Sequence, residues 1–253
     1  GNPTAVASFG ANGEEDGYDV AVGPAGEVAI VGTFQGNVNF AGKALTSSGG
    51  SVDGYVAVLA PGGGKARWAR PIGASGVGDR AQGVAFDTQG NIYACGLFRG
   101  QTNFGGQTRQ PVGAWDAYVA SYDKQGALRW VSTVGGSGND FAYDVTTAPG
   151  RVLVTGYYEG SVSVATKKLP AAGGREVFVV EFDAATGAPR WGRGFAGTSG
   201  ESGQGVAVDK KGEVIVVGFH GGPLDFGSGV LAPKTSTAGF VAKLSADGQT
   251  LRW

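Results

Sequence analysis

Four tryptophans divide the chain at nearly constant intervals. They stand at positions 68, 130, 191 and 253, so the spacings are 62, 61 and 62 residues. Each closes a similar stretch, of which VVEFDAATGAPRW at 179–191 is an example: an apolar run, a tight turn rich in Asp or Gly, and a short second run. A period of this size belongs to repeat architectures and limits the fold before any other feature does. The sequence therefore predicts four copies of one structural unit.

Each repeat contains four strand-like segments joined by tight turns. The first repeat carries YDVAV at 18–22 and EVAIVGTF at 27–34, with Gly in the turn between them, where a hairpin needs a positive φ. The Trp stretch supplies the third and fourth strands. Four short strands per repeat are typical of a propeller blade, and no segment shows helical periodicity of useful length.

An extra segment of some 15 to 18 residues separates the second strand from the third in every repeat. In the second repeat it reads GQTNFGGQTRQPVG, residues 100–113. The pattern predicts a small β-hairpin that stands off the blade. In a propeller, links between strands two and three share a face with the links between blades. Because loops on a rigid scaffold often carry function, we expect the functional site on that face.

The two ends of the chain stand at the same phase of the repeat. Residues 5–10, AVASFG, resemble the stretch that follows Trp in the other repeats, and this register puts Ala5 at the Trp position. We expect the N-terminal strand to pair beside the penultimate strand of the last repeat. Such closure would leave no terminal strand edge exposed.

The predicted fold is all-β. It is a single four-bladed β-propeller domain over residues 1–253, with four-stranded blades of about 62 residues and an extra hairpin in each. The repeats span approximately 11–73, 74–135, 136–196 and 197–253, and residues 1–10 supply the closing strand. The alternative is a fragment of a larger propeller or array built from the same blade.

Composition narrows the classes of partner. Charged residues make up 16% of the chain and the formal net charge is −1, with no basic tract, so nucleic acid is a poor fit. No run of 18 apolar residues exists, which predicts no membrane insertion. The chain has no Met, so an export signal that has been removed is compatible with the sequence. Its single Cys excludes an internal disulfide.

Two stretches carry a resemblance to a known family. GVAFDTQGNIYACG at 83–96 and the Trp hairpin at 239–253 are similar to the bacterial β-propeller repeat called SBBP, and the pattern recurs in four copies. The resemblance implies a propeller fold and a place in a bacterial surface or secreted protein, hence an extracellular or cell-surface location. The Trp hairpin also looks like the docking motif of quinoprotein propellers, but no match for their cofactor pocket or metal ligands is found.

Aromatic residues mark the face that we expect to bind a ligand. Phe34, Phe98, Tyr158 and His220 end the second strands, where the extra hairpin leaves the blade. His220 is the only His, and Trp115 is the only Trp outside the repeat. Residues that break the rule of their own repeat are better site candidates than those that obey it. The alternative is that these aromatic residues simply cover the small hairpins.

A second candidate site comes from an alternation between repeats. Repeats one and three begin with Tyr18-Asp19 and Tyr143-Asp144, where repeats two and four have Gln-Gly. If the first strand is innermost in a four-membered ring, Asp19 and Asp144 would face each other at a channel mouth. Two carboxylates so placed repel unless a cation such as Ca²⁺ or a water cluster screens them. Exposed acids beside a turn are the alternative.

Three further recurring positions point to structural roles. The repeated Trp is expected to pack between neighbouring blades. Gly inside the second strand is expected to permit a bulge or a close backbone approach. An acid before the first strand is expected to accept hydrogen bonds from turn amides and so to join blades, with Ca²⁺ binding as the alternative. These acids are Glu15, Asp79, Asp140 and Glu201.

Two classes of function remain. The first is a non-enzymatic extracellular or cell-surface module that acts as a scaffold or binds a glycan, a surface or a partner protein through its hairpin face. The second is an enzyme with a quinoprotein-like or lyase site at the propeller axis. A single His excludes multi-His metal sites, and no GxSxG motif is present to support a Ser–His pair, so the first class is favoured.

Overall fold

The structure, a computed structural model, describes residues 9–10, 13–76, 78–227, 229–233 and 236–253. Within these ranges the secondary structure consists of β-strands and one short 3₁₀ helix at Ser48–Gly50. The all-β prediction is therefore confirmed. Ala5 and most of the predicted closing strand lie outside the described residues.

The strands follow the repeats in chain order. The first repeat forms β1 (Glu15–Val22), β2 (Val28–Gln35), β3 (Asn37–Phe40), β4 (Lys43–Thr46), β5 (Val52–Leu59) and β6 (Ala66–Ile72). The second forms β7 (Arg80–Phe86), β8 (Ile92–Phe98), β9 (Thr102–Asn103), β10 (Thr108–Arg109), β11 (Asp116–Tyr122) and β12 (Leu128–Val134). The third forms β13 (Phe141–Ala148), β14 (Arg151–Glu159), β15 (Ser163–Val164), β16 (Lys167–Lys168), β17 (Arg175–Asp183) and β18 (Pro189–Phe195). The fourth forms β19 (Glu201–Val208), β20 (Val214–His220), β21 (Leu224–Asp225), β22 (Val230–Leu231) and β23 (Ala238–Leu244).

Each repeat builds one main sheet and one small hairpin. The first three sheets have the strand orders β1-β2-β5-β6, β7-β8-β11-β12 and β13-β14-β17-β18, and the fourth has β19-β20-β23. The extra segments form the separate two-stranded sheets β3-β4, β9-β10, β15-β16 and β21-β22, as the sequence predicts. In the part of the chain that the structure describes, the predicted hairpin is present in every repeat, and the predicted four-stranded sheet is present in the first three repeats, whereas the fourth sheet has three strands.

The chain divides into two compact units. One comprises Gly1–Pro111 and Val119–Val131, and the other comprises Val112–Tyr118 and Ser132–Trp253. The first unit therefore holds the first sheet and most of the second, and the second unit holds the third and fourth sheets. Strands β11 and β12 contribute residues to both units.

A bulge recurs between the first two strands of every sheet. In the third sheet the register shifts between Ala142 and Asp144, and in the fourth it shifts between Gly203 and Gly205. The first and second sheets show the same shift. The second-strand glycine lies against the bulge, because a Cβ at Gly156 would come within 1.8 Å of the Phe141 carbonyl oxygen. The predicted close backbone approach at this glycine is confirmed.

A repeated tryptophan contacts the following sheet inside each unit. In the first unit the Trp68 indole Nε1 donates a hydrogen bond of 3.1 Å to the Lys124 carbonyl oxygen, and a Cβ on Gly126 would lie 2.5 Å from the indole ring. In the second unit the Trp191 ring closes in the same way on Gly248, also at 2.5 Å from such a Cβ. Trp68 and Trp191 therefore pack on the β-turn of the following sheet, as predicted for the repeated Trp.

Leu251 and Arg252 pair with β23 at the outer edge of the fourth sheet. The Arg252 amide donates to the Lys243 carbonyl oxygen at 2.7 Å, and Leu251 forms a bridge with Leu244. In the first sheet the corresponding strand β6 continues past Trp68 to Ile72. The residues predicted to continue this strand, 5–8, lie outside the described part. No closed sheet is found among the residues described, so closure and the number of blades remain predictions.

Phe9 supports the alignment on which the closure prediction depends. Its ring centroid lies 5.6 Å from that of Phe40 at the end of β3. Phe195 at the end of β18 packs in the same way on Phe226, at 4.4 Å. Phe195 follows Trp191 by the same interval at which Phe9 follows Ala5 in the sequence. Phe9 therefore makes the contact expected of a fourth-strand residue from a preceding sheet.

Candidate functional site

The predicted ligand-binding residues differ sharply in accessibility. Phe34, Phe98 and Tyr158 are fully buried, and His220 is 3% exposed, whereas Trp115 is half-buried. The strand-end aromatic residues therefore lie beneath the surface in the hydrophobic core of their sheets. Their assignment to a ligand stays a prediction, and Trp115 is the residue of this set that a ligand could reach in the structure.

His220 makes a local hydrogen bond inside the fourth sheet. Its Nδ1 lies 2.7 Å from the carbonyl oxygen of Gly222, which can only accept, so the proton stands on Nδ1. The residue also pairs with Glu201 across β19 and β20. These contacts fix the imidazole within its own sheet.

Trp115 belongs to a cluster of aromatic residues in the second unit. Its ring centroid lies 6.0 Å from that of Phe141, in an edge-to-face arrangement at 65°. Phe141 in turn lies 4.9 Å from Tyr157 and 6.4 Å from Tyr143. Trp115, Phe141 and Tyr143 are half-buried, and Tyr157 is buried beneath them. Aromatic pairs at these separations attract one another. The buried Tyr157 ring therefore holds the partly exposed rings above it in place.

A polar network borders the aromatic cluster. The guanidinium of the exposed Arg175 lies over the Tyr157 ring, 4.6 Å from its centroid. Arg175 Nε is 3.3 Å from Glu159 Oε1, and Asn139 Nδ2 donates to Glu159 Oε2 at 2.8 Å. Burial raises the pKa of Tyr157 to about 12, so its hydroxyl stays protonated at neutral pH. The border thus offers a cation, a carboxylate and an amide close to the exposed rings.

A groove runs beside this network. It has a volume of about 460 Å³ and is lined by Glu159 and Arg175 together with Gly160, Gly173, Gly174, Ser199 and Gly200. Glycine backbone forms much of its wall, so main-chain N–H and C=O groups lie close to the opening. The groove adjoins the aromatic cluster through Arg175, whose guanidinium lies over the Tyr157 ring. The cluster, the network and the groove together form the candidate site.

Three of the acids predicted before the first strands are buried and accept backbone hydrogen bonds. Asp79 accepts from the amides of Ala74 and Arg99, both at 2.9 Å. Asp140 accepts from the amides of Gly136 and Glu159 at 2.8 and 3.1 Å. Glu201 accepts from the Ser199 amide at 3.2 Å. The predicted bonding to turn amides is confirmed for Asp79, Asp140 and Glu201, and stays a prediction for Glu15.

A second set of buried acids opens the third strand of three sheets. Asp53 accepts from the Ser48 amide at 2.7 Å, and Asp116 accepts from the Val112 amide at 2.9 Å. Glu176 accepts from the Ala172 amide at 2.8 Å. All three are at most 1% exposed. Sequence reasoning missed this set, although an acid two residues before the aromatic or apolar centre of strand three recurs in three repeats.

The two sets of acids interact in pairs. Burial, with the neighbouring charge of Asp53, raises the pKa of Asp79 to about 7. Burial likewise raises the pKa of Asp140 to about 7, and the charge of Asp116 contributes. Burial raises the pKa of Glu201, and the charge of Glu176 adds to this effect. Each pair therefore holds a proton more strongly than an exposed acid would.

Asp19 and Asp144 link neighbouring sheets. Asp19 Oδ2 accepts from the Val84 amide at 2.8 Å, in the first unit, and Asp144 Oδ2 accepts from the Val206 amide at 2.7 Å, in the second. In each case Oδ1 accepts the amide of the next residue in the chain. Both carboxylates thus have structural partners that the sequence did not indicate. The predicted cation at these residues stays a prediction.

Neither a metal-ligand cluster nor a membrane-spanning helix is present among the residues that the structure describes. In the ranges that the structure covers, no three or more His, Cys, Asp or Glu side chains form a group that could hold a metal ion. No helix among those residues has the length and apolar character needed to cross a bilayer.

Residues 67–97 match the family described as beta-propeller repeat, SBBP. Over this span the chain is similar to the SBBP β-propeller repeat. The matched span includes the Trp68 hairpin end, the buried Asp79 and the first two strands of the second sheet. The resemblance seen at 83–96 is thereby confirmed.

A comparison with solved structures matched the crystal structure of BamB from Moraxella catarrhalis. The sequences are 16% identical, and the alignment covers 91% of this chain and 82% of that chain, with a TM-score of 0.19. A TM-score this low carries no argument about fold or function. The comparison with curated proteins gave no match.

The candidate site lies outside the matched SBBP span and draws on departures from the repeat. Phe141 occupies the position of Asp16, Arg80 and Ser202 in the other repeats, and Trp115 occupies that of Val52, Arg175 and Thr237. Comparing the repeats position by position would have identified Phe141 together with Trp115. The contacts that join Arg175, Glu159 and Asn139 could not be found in this way, because they depend on how β13, β14 and β17 pair.

Proposed function

We propose that this chain is a non-enzymatic β-propeller module that binds a saccharide through the candidate site on its third sheet. The observation that supports this proposal is the half-buried set of Trp115, Phe141 and Tyr143, which lies beside the Arg175–Glu159–Asn139 network. Flat aromatic rings suit the apolar faces of pyranose sugars. Carboxylate, amide and guanidinium groups can exchange hydrogen bonds with hydroxyl groups around them.

The proposed setting is the cell surface or the extracellular space, and the proposed whole is a propeller of four blades closed by its N-terminal strand. Both rest on the four sequence repeats and on the SBBP resemblance. A module displayed in this way could bind weakly at one site and gain strength where several copies meet a glycan-covered surface.

Loss of binding in a Trp115→Ala variant would test the proposal. The wild-type chain is applied to an array of immobilised oligosaccharides, and the best binder is then titrated in solution by following tryptophan fluorescence. We expect Trp115→Ala to weaken binding roughly tenfold or more, which corresponds to about 1.4 kcal/mol. Val52→Ala is the matched control, because Val52 holds the same repeat position in the first sheet.

Two outcomes would overturn the proposal. One is an array on which the wild-type chain binds no saccharide. The other is a saccharide whose affinity is the same for wild type and Trp115→Ala. Turnover of a bound saccharide, followed by chromatography of the reaction mixture, would replace the binding module with the alternative, an enzyme.

A further inference from the structure

Two buried glutamates hold the walls of the groove in the candidate site. Glu176 Oε1 accepts hydrogen bonds from three successive backbone amides, those of residues 172–174, at 2.8, 3.0 and 3.3 Å. Glu201 Oε1 accepts from the Ser199 amide at 3.2 Å. The last two of those three residues line the groove, and so does Ser199. Each wall of the groove is therefore tied to one buried carboxyl group.

The two carboxyl groups are neighbours. Arg175 and Gly200, which also line the groove, form a parallel β-bridge. The next residues along the two strands, Glu176 in β17 and Glu201 in β19, therefore lie side by side. Both are 0% exposed. Whatever happens between these two carboxyl groups is thus felt by both walls.

Each glutamate keeps one buried oxygen without a partner. Neither Glu176 Oε2 nor Glu201 Oε2 has a hydrogen-bond partner among the residues that the structure describes. In the equivalent pair Asp116 and Asp140, backbone amides reach both oxygens of each carboxyl. A buried acceptor without a partner is unfavourable, and two ionised carboxylates side by side repel each other. A single proton removes both penalties, because the protonated carboxyl donates a hydrogen bond to the other.

We infer that Glu176 and Glu201 share one proton, and that this proton holds the groove walls in the arrangement that binds a ligand. The part of the inference that concerns binding rests on the proposed function. With the proton present, the two remaining oxygens are joined by one hydrogen bond. Once it is lost, the two charges push β17 and β19 apart, and the wall amides lose their fixed acceptors. Saccharide affinity therefore falls as the pH rises, although neither glutamate needs to touch the saccharide.

The surroundings of the pair favour the protonated form. Burial raises the pKa of Glu201 and the charge of Glu176 adds to this effect, while the bond from the Ser199 amide opposes it. The proton is therefore present below this raised pKa and is lost above it. A charge on His220 would favour the ionised form of Glu201. Titratable groups around the pair are Asp140, Tyr158, Glu159, Arg175 and His220.

Glutamine variants imitate the protonated pair at every pH. In Glu201→Gln the side-chain oxygen can still accept the Ser199 amide, and the NH₂ group donates to Glu176. Glu176→Gln does the same from the other side. Asp79→Asn is the matched control, because Asp79 holds the repeat position of Glu201. Its backbone partners, the amides of Ala74 and Arg99, do not belong to the groove.

The first measurement needs no ligand. Hydrogen exchange at the amides of Gly173, Gly174 and Ser199 is followed from about pH 5 to about pH 8 and expressed as protection factors. We expect protection in the wild type to fall at least about tenfold over this range, with a limit of about tenfold per pH unit for one proton. Both glutamine variants should show no such fall, and Asp79→Asn should follow the wild type. Circular dichroism confirms that every variant is folded.

The second measurement is the affinity for the best oligosaccharide from the array, titrated by tryptophan fluorescence over the same pH range. We expect the affinity of the wild type and of Asp79→Asn to fall in parallel with protection. The affinity of Glu201→Gln and Glu176→Gln should stay constant. If no oligosaccharide binds, the proposed function fails, but the exchange profile still decides whether the proton is shared.

Three outcomes overturn the inference. One is wild-type protection that does not change with pH. Another is a pH dependence that persists in both glutamine variants, which would assign it to His220 or Asp140. The third is protection at about pH 8 that appears only with added CaCl₂, which would put a cation in place of the proton. Affinity that stays constant while the walls lose protection would overturn the link between the proton and binding.

Discussion

A Cβ atom added to Gly156 would lie 1.8 Å from the carbonyl oxygen of Phe141. Gly32, Gly96 and Gly218 stand in the same relation to the first strands of their own sheets, at 1.8 to 2.0 Å. The contact is with backbone in every case, so no side chain can rotate away to relieve it. The first-strand bulge and the second-strand glycine therefore form one structural motif, which recurs in each main sheet.

We expect Gly156→Ala to lower the free energy of unfolding by about 3 kcal/mol or more, because the new methyl group would force β13 and β14 apart. Urea denaturation followed by circular dichroism measures the change. Gly200→Ala is the control, since a Cβ there meets nothing within 4 Å, and it should alter stability by about 0.5 kcal/mol at most. Equal stability of the two variants would contradict the role of the bulge.

Trp68 and Trp253 hold the same repeat position but differ in cover. Trp68→Ala removes a buried ring and its hydrogen bond to Lys124, so we expect a loss of about 3–5 kcal/mol. Trp253→Ala removes a ring that is 60% exposed, and at low protein concentration it should cost about 0.5 kcal/mol or less. Thermal and urea unfolding of both variants provide the comparison. A similar loss in both would mean that Trp253 is covered within the chain.

The Asp144 carboxylate should contribute to the junction between the third and fourth sheets. Asp144→Ala leaves the Val206 amide without the acceptor that now lies 2.7 Å away, so we expect a loss of about 1–3 kcal/mol. Hydrogen exchange should become faster at Val206 in particular. Asp144→Asn keeps one acceptor oxygen and should lose less. Unchanged exchange at Val206 in the alanine variant would show that this bond is dispensable.

Stability should fall as pH rises from about 4 to about 7. An exposed Asp in the unfolded chain loses its proton near pH 3.9. Burial and the charge of Asp116 raise the pKa of Asp140 to about 7, so the folded state keeps its proton through this window. The unfolded state then binds fewer protons, and the free energy of unfolding falls by up to about 1.4 kcal/mol per pH unit for one such group. Above pH 7 both states are ionised and the slope from this group ends.

Asp140→Asn should flatten this pH dependence, which urea titrations at intervals between pH 4 and pH 8 would reveal. Asp183→Asn is the control, because the pKa of Asp183 is lowered in the folded state whereas that of Asp140 is raised. Amide bonds from Thr186 and the ion pair with Arg190 lower the pKa of Asp183 to about 2, so its effect on stability is lost only below the window. An unchanged slope in Asp140→Asn would mean that the buried acids ionise in the folded state without cost.

Features that obey the repeat could be predicted from the sequence. The strand-two glycines and the recurrent Trp needed only a comparison of equivalent positions, and both take the structural roles expected of them. The pairs of buried acids could not be found in this way. Asp116 and Asp140 belong to different repeats, and their proximity arises only when the third strand of one sheet lies beside the first strand of the next.

The candidate site was predicted in part for a similar reason. Trp115 was identified because it departs from its repeat, but Phe34, Phe98 and Tyr158 point into the cores of their sheets. The direction in which a strand-end aromatic side chain points depends on the bulge register, which strand patterns alone do not fix. Arg175 and Glu159 come from different strands, so only the pairing of β14 with β17 brings them together.

The bonds from Asp19 to Val84 and from Asp144 to Val206 imply that the natural building block of this chain is a pair of sheets. Odd-numbered sheets supply a carboxylate that even-numbered sheets use, and the glycines at the matching places, Gly83 and Gly205, have none to offer. If a single repeat were removed or added, two sheets that carry the accepting Asp, or two sheets that carry only the donating amide, would become neighbours. A designer who adds or deletes whole doublets would preserve every such match.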